Sequence, residues 1–250
     1  MRILTRRMNE AVVQFVSSPQ NGFVPDSFLP ENIALLKLIQ AYVEEEDMDA
    51  YFVFLDMEKA FDRCSWDFLN AALPEIGFNE GFCKYVRLMY SHDHPPQRQL
   101  YVNGYLGPKF PLESGVAQGC PLSPLLFLLI TEPLTRLFQN SPRDPTDPTC
   151  LHGVTIDNIR HLISQYADDT TLILRPGDET QAQRILDTWT QGTAMAENAN
   201  KREGQLLGKL NRERARAPTG VIEGNKWLVD GDTIRALGAP MGNNFDEEAR

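Results

Sequence analysis

Tyr166-Ala167-Asp168-Asp169 lies between two apolar runs, Leu162-Ile163 on one side and Leu172-Ile173-Leu174 on the other. Short apolar runs around a polar pair read as a β-hairpin, and its tight turn displays two carboxylates. A third carboxylate, Asp56, closes the strand-like run Tyr51-Phe52-Val53-Phe54-Leu55. Three carboxylates gathered at neighbouring strand ends form an oxygen-only cage for hard divalent cations. The pair alone has a second reading, because Asp bonds its own backbone and suits turns of every kind. The rest of the chain has to decide.

With 250 residues, 42% of them hydrophobic, the chain can bury one large domain or two joined subdomains. The longest apolar stretch, Leu125 to Ile130, is far short of the roughly 20 residues of a membrane span, and Arg2, Arg6 and Arg7 stand where a signal peptide would be apolar. A soluble, intracellular protein with no membrane partner is expected. Cys64, Cys83, Cys120 and Cys150 show no CxxC spacing, which fits free thiols better than zinc. His92 and His94, flanking Asp93, read as a solvated loop. The net charge of −10 argues against a generally basic nucleic-acid surface. Basic residues do cluster locally, at Lys201, Arg202, Lys209, Arg212, Arg214 and Arg216, against an acidic block at Glu44-Glu45-Glu46-Asp47.

Helical periodicity predicts helices over Met8–Val16 and Ile33–Val43, interrupted from Pro19 to Pro30. After the strand ending at Asp56, Ser65 is placed to cap a helix through Leu73, and a second helix runs from Glu80 to Tyr90. Asn103-Gly104 joins Leu100-Tyr101-Val102 to a return strand from Tyr105 to Leu112. Pro121 to Phe138 reads as an apolar helix, and Asn140 to Thr149 as an exposed loop. Strands 153–157 and 159–165 lead into the aspartate hairpin and its return strand 170–175. A helix from about Asp178 to Glu197, a polar segment, and a small hairpin of Trp227-Leu228-Val229, Asp230-Gly231-Asp232 and Thr233 to Leu237 complete the chain. This order predicts an α+β fold, with helices on one face of a mainly antiparallel sheet and the other face free for substrate.

Three blocks stand in order: FLDMEKAFD at 54–62, SGVAQGCPLSPLLF at 114–127 and YADD at 166–169. Together they resemble the reverse transcriptase domain of non-LTR, LINE-type retrotransposons. QNGFVP at 20–25, WDFLNAALPEIGF from Trp66, YVNG from Tyr101 and NANKRE at 198–203 extend the resemblance to roughly residues 10 to 245. It implies a right-hand polymerase palm with partial fingers and a missing or incomplete thumb. Fingers would occupy residues 1–49 and about 93–120, and palm about 50–92 and 121–205. Residues 206–250 would form a basic linker and terminal hairpin leading toward an absent thumb.

The resemblance implies RNA-directed DNA polymerisation with an RNA template, a DNA primer and dNTPs, and two Mg²⁺ ions for which Mn²⁺ can substitute. Asp56, Asp168 and Asp169 would hold the metals, with the Met57 carbonyl as an added ligand. Backbone N–H groups from Glu58 through Lys59 and Ala60 to Phe61 would meet the triphosphate. Phe61 matches the aromatic gate against a ribose 2′-hydroxyl, although by pattern alone it reads as a core aromatic beside Phe54. Asp62 reads as a structural cap on the turn into the next helix. Gln118 and Gly119 match the nucleotide and template pocket, and Tyr166 the primer terminus. Lys201 matches the lysine on the pyrophosphate side, where a plain surface lysine fits the pattern as well. Ala117, Asp26-Ser27 and Arg202 depart from the basic residue, the Gly-Arg and the Thr or Ser that many relatives carry. The resemblance implies a fragment lacking part of the fingers, the thumb and the upstream endonuclease, so a remnant that folds and binds nucleic acid or protein without polymerising is the alternative. A nuclear site of action follows by analogy, and oligomeric state stays open.

Overall fold

The computed structural model describes residues 2–213, 226–228, 233–236 and 239–242. In chain order its elements are helices α1 (Arg2–Phe15) and α2 (Leu29–Glu45), strand β1 (Asp49–Leu55), helices α3 (Ala60–Arg63), α4 (Trp66–Ile76) and α5 (Glu80–Met89), and strands β2 (Gln97–Val102) and β3 (Tyr105–Pro111). Then come helix α6 (Ser123–Gln139), strands β4 (Val154–Ile156), β5 (Ile159–His161), β6 (Ile163–Tyr166) and β7 (Asp169–Leu174), and helix α7 (Glu179–Thr193). A 3₁₀ turn (Ala199–Lys201), strand β8 (Glu203–Leu207), helix α8 (Gly208–Arg212) and strands β9 (Lys226–Trp227), β10 (Thr233–Ala236) and β11 (Ala239–Gly242) follow.

The main sheet has the order β6-β7-β1-β8-β9, antiparallel except for the β8–β9 pair. Its middle strand is β1, whose residues 50–55 are all buried. Side chains alternate along a strand, so Tyr51, Val53 and Leu55 share one face and Phe52 and Phe54 the other. The first set joins a core with Trp66, Leu69 and Leu73 of α4, most of α6, and Ile185 and Trp189 of α7. Helix α6 is buried nearly all round, as a helix apolar on every side must be.

The second face is covered too, which corrects the expectation of one face free for substrate. Leu36, Ile39 and Val43 of α2, with Ala236 and Met241 of the β10–β11 hairpin, pack against Phe52, Phe54 and Ile173. The reason lies in Phe52, Phe54 and Ile173 themselves, three large apolar side chains that a solvent-facing surface would leave wet.

Most expected elements form, including the Ser65 cap, whose Oγ accepts from the Phe68 N–H at 3.2 Å. Four differ. The strand expected over 159–165 splits at Leu162, and β4 and β5 make a separate two-stranded sheet. Helix α7 stops at Thr193, because Ala194 turns left-handed with φ +59°. The polar segment after it contains β8, which crosses residue 205, where palm and linker were divided. In the terminal segment, β10 pairs with β11, and β9 joins the main sheet beside β8. Val229, Asp230-Gly231-Asp232 and Leu237 of the expected hairpin, like Arg214 and Arg216 of the basic cluster, lie outside the described residues. All four cysteines are free, and His92 and His94 are exposed. Among the described residues, no helix is long and apolar enough to cross a membrane.

Candidate active site

Antiparallel pairing carries three segments to one end of the sheet. β1 leaves its pairing with Thr170 at Leu55, so Asp56 stands beside the start of β7, where Asp169 is. β8 runs against β1 with Phe54 opposite Glu203, which brings the preceding 3₁₀ turn and Lys201 to the same end. Asp56 shares the parity of Phe54, and Asp169 that of Thr171 and Ile173, so both aspartates belong to one face. They line a cleft of about 380 Å³ together with Thr171, Lys201 and Glu203.

The Lys201 Nζ donates to Asp56 Oδ2 at 3.1 Å. The carboxyl of Asp169 is raised above its ordinary value, first by loss of water around it and then by the charges of Asp168 and Asp56. Among the described residues, no three His, Cys, Asp or Glu side chains converge closely enough to hold a metal unaided. The three-carboxylate cage is therefore not preformed. Asp168, half-buried on the turn, does not line the cleft, and the ammonium of Lys201 already occupies one oxygen of Asp56.

The aspartate turn is built by residues far upstream. Tyr166 pairs with Asp169, leaving Ala167 and Asp168 as a two-residue turn with Ala167 at φ +60°. A non-glycine residue there is uncommon and costs roughly 1–2 kcal/mol. Gln20, buried, offsets this with both ends of its amide. Its Oε1 accepts from the N–H of Ala167 at 3.0 Å and of Gly22 at 2.8 Å, and its Nε2 donates to the Ala167 carbonyl at 3.2 Å. Gly22 presses so closely that a Cβ there would lie 1.9 Å from the Ala167 nitrogen. Asn32 Nδ2 donates to Ser164 Oγ at 2.9 Å and to the Gln165 carbonyl at 3.0 Å, tying α2 to β6. Pro19 and Asn21 extend the sheet, accepting from the Gln165 N–H and donating to its carbonyl. Residue-by-residue reading missed Gln20, Gly22 and Asn32 as supports; the signal available was the QNGFVP block itself.

Met57 is buried and bridges Glu197. The Asn198 N–H takes the Asp56 carbonyl and the Glu58 N–H donates to the Ala196 carbonyl, both at 2.8 Å. Glu58 is thus removed from the N–H groups expected to meet a triphosphate, leaving those of Lys59, Ala60 and Phe61. Its side chain instead accepts from Arg63 at 2.6 Å. Phe61 stacks on Phe127 with centroids 4.8 Å apart and meets Phe23 edge-on at 6.0 Å, so the ring is wedged between α6 and the QNGFVP loop.

The SGVAQG loop docks beneath it. The Val116 N–H donates to the Phe61 carbonyl at 2.8 Å, and Ser114 Oγ donates to the Asp62 carbonyl at 2.8 Å. Gln118 is exposed in a separate hollow of about 350 Å³ with Asp62 and Arg98, so it and neighbouring Gly119 are not brought into the aspartate cleft. Gly119 holds φ +82° with open space around it, which makes its backbone conformation the reason for glycine. The Asp62 side chain caps nothing, contrary to expectation; it lines the hollow, and Ser65 caps the next helix. Tyr166 is half-buried beside the turn. Arg202 pairs with Glu197, both nearly buried, and its guanidinium also reaches Gln183.

The sequence model of the family described as "Reverse transcriptase (RNA-dependent DNA polymerase)" matches residues 1–204. A "Transposon TX1 uncharacterized 149 kDa protein" of Xenopus laevis is 26% identical over 212 residues, 84% of this chain and 15% of that protein. A "Retrovirus-related Pol polyprotein from type-2 retrotransposable element R2DM" of Drosophila melanogaster is 28% identical over 193 residues, 74% of this chain and 17% of that protein. The chain thus spans about a sixth of the length of these curated relatives. Among solved structures, telomerase from Candida tropicalis with a TWJ fragment of telomeric RNA superposes with a TM-score of 0.54 at 10% identity. That match covers 81% of this chain and 32% of the telomerase chain. An apo form truncated from the C-terminal domain gives 0.50 at 13%, covering 81% and 39%. These likenesses carry the fold, a polymerase palm of mixed helix and antiparallel sheet. On the match over residues 1–204, the chain belongs to the reverse transcriptase (RNA-dependent DNA polymerase) family.

Proposed function

We propose that this chain is the RNA-directed DNA polymerase domain of a non-LTR retrotransposon, extending a DNA primer on an RNA template from dNTPs. The observation that carries the reading is the meeting of Asp56, the Asp168-Asp169 turn and Lys201 at one end of the sheet. The donor set fits divalent cations: the ionised Asp169 carboxyl is destabilised by loss of water and then by two neighbouring carboxylates, and Asp56 already holds an ammonium. Mg²⁺ normally keeps water and substrate phosphate oxygens as ligands, so a closed protein cage is not required. Asp56, Asp168, Asp169 and the Met57 carbonyl would hold two Mg²⁺, or Mn²⁺, which supply activation of the primer 3′-hydroxyl and neutralisation of the leaving pyrophosphate.

The chain's own groups do the rest. Lys201, held beside Asp56 at the same end of the sheet, is the cation that would stabilise the charge of the pyrophosphate oxygens. The N–H groups of Lys59, Ala60 and Phe61 face the triphosphate, and the wedged Phe61 ring leaves no room for a 2′-hydroxyl. Gln118 and Gly119 meet the template strand and Tyr166 the primer end. Fingers at 1–49 and about 93–120, and palm at about 50–92 and 121–205, remain the division we propose, with a nuclear site of action.

The net charge of −10, unfavourable for holding a template–primer duplex, favours a second reading, a remnant that folds and binds nucleic acid or protein without polymerising. Mg²⁺-dependent primer extension on an RNA template by the purified chain separates the two. Asp168→Asn and Asp169→Asn should each lower extension by about 10³-fold or more, since several kcal/mol of charge stabilisation go with the metals. Extension by Asp168→Asn at the wild-type rate would sink the metal assignment, and no extension by the wild type would favour the second reading.

A further inference from the structure

At the end of the sheet remote from the aspartates, a cavity of about 250 Å³ opens between the 140–153 loop and the end of β7. Arg143, His152, Arg160 and Arg175 line it, and among the described residues no acidic side chain does. That is unexpected in a chain of net charge −10.

The walls are fixed by a network that leaves two of these cations uncommitted. Arg160 donates to the carbonyls of Pro142 and Leu151 at 2.8 Å and of Ser141 at 2.6 Å. Asp178, fully buried, accepts from the N–H groups of His152 at 2.8 Å, Gly153 at 3.0 Å and Arg175 at 2.9 Å, and meets His152 Nδ1 at 2.8 Å. Asp144 and Asp147 close on Thr146 and Thr149. A loop that reads as exposed and irregular is thus a held frame. The guanidinium groups of Arg143 and Arg175 make no bond or ion pair among the described residues. Burial, and after it the charge of Arg143, push Arg160 below its usual value, while Cys150 and buried Asp178 act the other way; Asp178 is paired with His152, which leaves the guanidinium groups of Arg143 and Arg175 as the cavity's unpaired charges. Planar guanidinium forks match phosphate oxygens in pairs, and a rigid frame lowers the entropy cost of binding.

We propose that this cavity is a phosphate site, in which Arg143 and Arg175 hold one phosphate group of an RNA or DNA backbone outside the aspartate cleft. From Asp169 to Arg175 β7 advances six residues, about 20 Å at roughly 3.3 Å each. A bound strand reaches the cavity only if it continues about six nucleotides beyond the cleft, at roughly 3.4 Å per nucleotide.

The test is anisotropy of labelled RNAs of about 4 and 30 nucleotides with the full chain, without divalent metal, so that it does not depend on polymerisation. Arg143→Ala/Arg175→Ala should weaken the long RNA about tenfold, as loss of a charged hydrogen-bond pair does. The salt slope should become shallower by about 0.7, one single-strand phosphate. The short RNA should be unaffected. Arg87→Ala/Arg184→Ala, an exposed pair of equal charge on α5 and α7, should change neither. Melting in inorganic phosphate against chloride of equal ionic strength distinguishes the source. A phosphate-dependent rise lost in the cavity variant, with RNA binding unchanged, would keep the phosphate site and overturn the backbone as its source. Equal behaviour of cavity variant and wild type in both assays, or equal losses in both double variants, would overturn the site.

Discussion

Gln20 does more for the aspartate turn than any residue within it. Its amide satisfies the N–H and the carbonyl of Ala167 and the N–H of Gly22, groups otherwise buried without partners. Leaving buried polar groups unpaired costs about 1–3 kcal/mol each. Gln20→Ala should therefore lower unfolding free energy by about 3 kcal/mol or more, and extension should need more Mg²⁺ because the turn no longer holds its geometry. Gly22→Ala should be worse, since its new methyl group meets backbone at 1.9 Å. Denaturant melts and a Mg²⁺ titration check both, and wild-type values for Gly22→Ala would show that the contact is not rigid. Asp169 has the opposite balance. Its raised carboxyl means the folded state binds the proton more tightly than the unfolded chain, so stability falls as pH rises from the ordinary carboxylate value through the raised one. At neutral pH the ionised group is a net cost. Asp169→Asn should melt no lower than wild type while losing extension, and its stability should lack that pH window.

The elements differ in how plainly they can be read. β1 and the aspartate hairpin are legible because continuous apolar runs end at carboxylates, and α6 because its apolar residues go all round. β8 is not, since Glu203-Gly204-Gln205 has neither alternation nor β-branched residues. It is a strand because β1 needs a partner on its free edge and because Trp227 lies across Gly204, where a Cβ would come within 2.6 Å of the ring. The end of α7 is hidden in the sequence for a similar reason. Ala194 to Glu197 suits a helix locally, but Ala196 and Asn198 bond to the residues around Asp56. The three carboxylates and Lys201 were readable from motifs; the supports in QNGFVP were not, because a Gln between prolines looks solvated until β6 is packed beside it. Arg202, a departure from the family pattern, has its account here: with Glu197 it fastens the segment that carries Lys201. Arg202→Thr should loosen that segment, costing about 3 kcal/mol as a nearly buried charge loses its partner. Thr at 202 with Gln at 197 should recover most of that stability in the same melts. No recovery would mean that the pair is not what holds the segment.

Over the whole molecule, charge and site pull in opposite directions. A net of −10 repels a polyanion at distances up to the Debye length, about 10 Å at 0.1 M salt, while Lys201 and the arginine-lined cavity act only on contact. The long-range part governs the approach of a strand, and the contacts govern how long it stays. A generally basic binder associates more slowly as salt rises, because its steering is screened. For this chain the screened interaction is repulsion. The association rate with an RNA strand should therefore hold steady or rise from about 20 to 150 mM salt, while the dissociation rate increases over the same range. Stopped-flow fluorescence separates the two rates. An association rate that falls steeply with salt would mean that local positive patches, and not the net charge, set the field a nucleic acid meets.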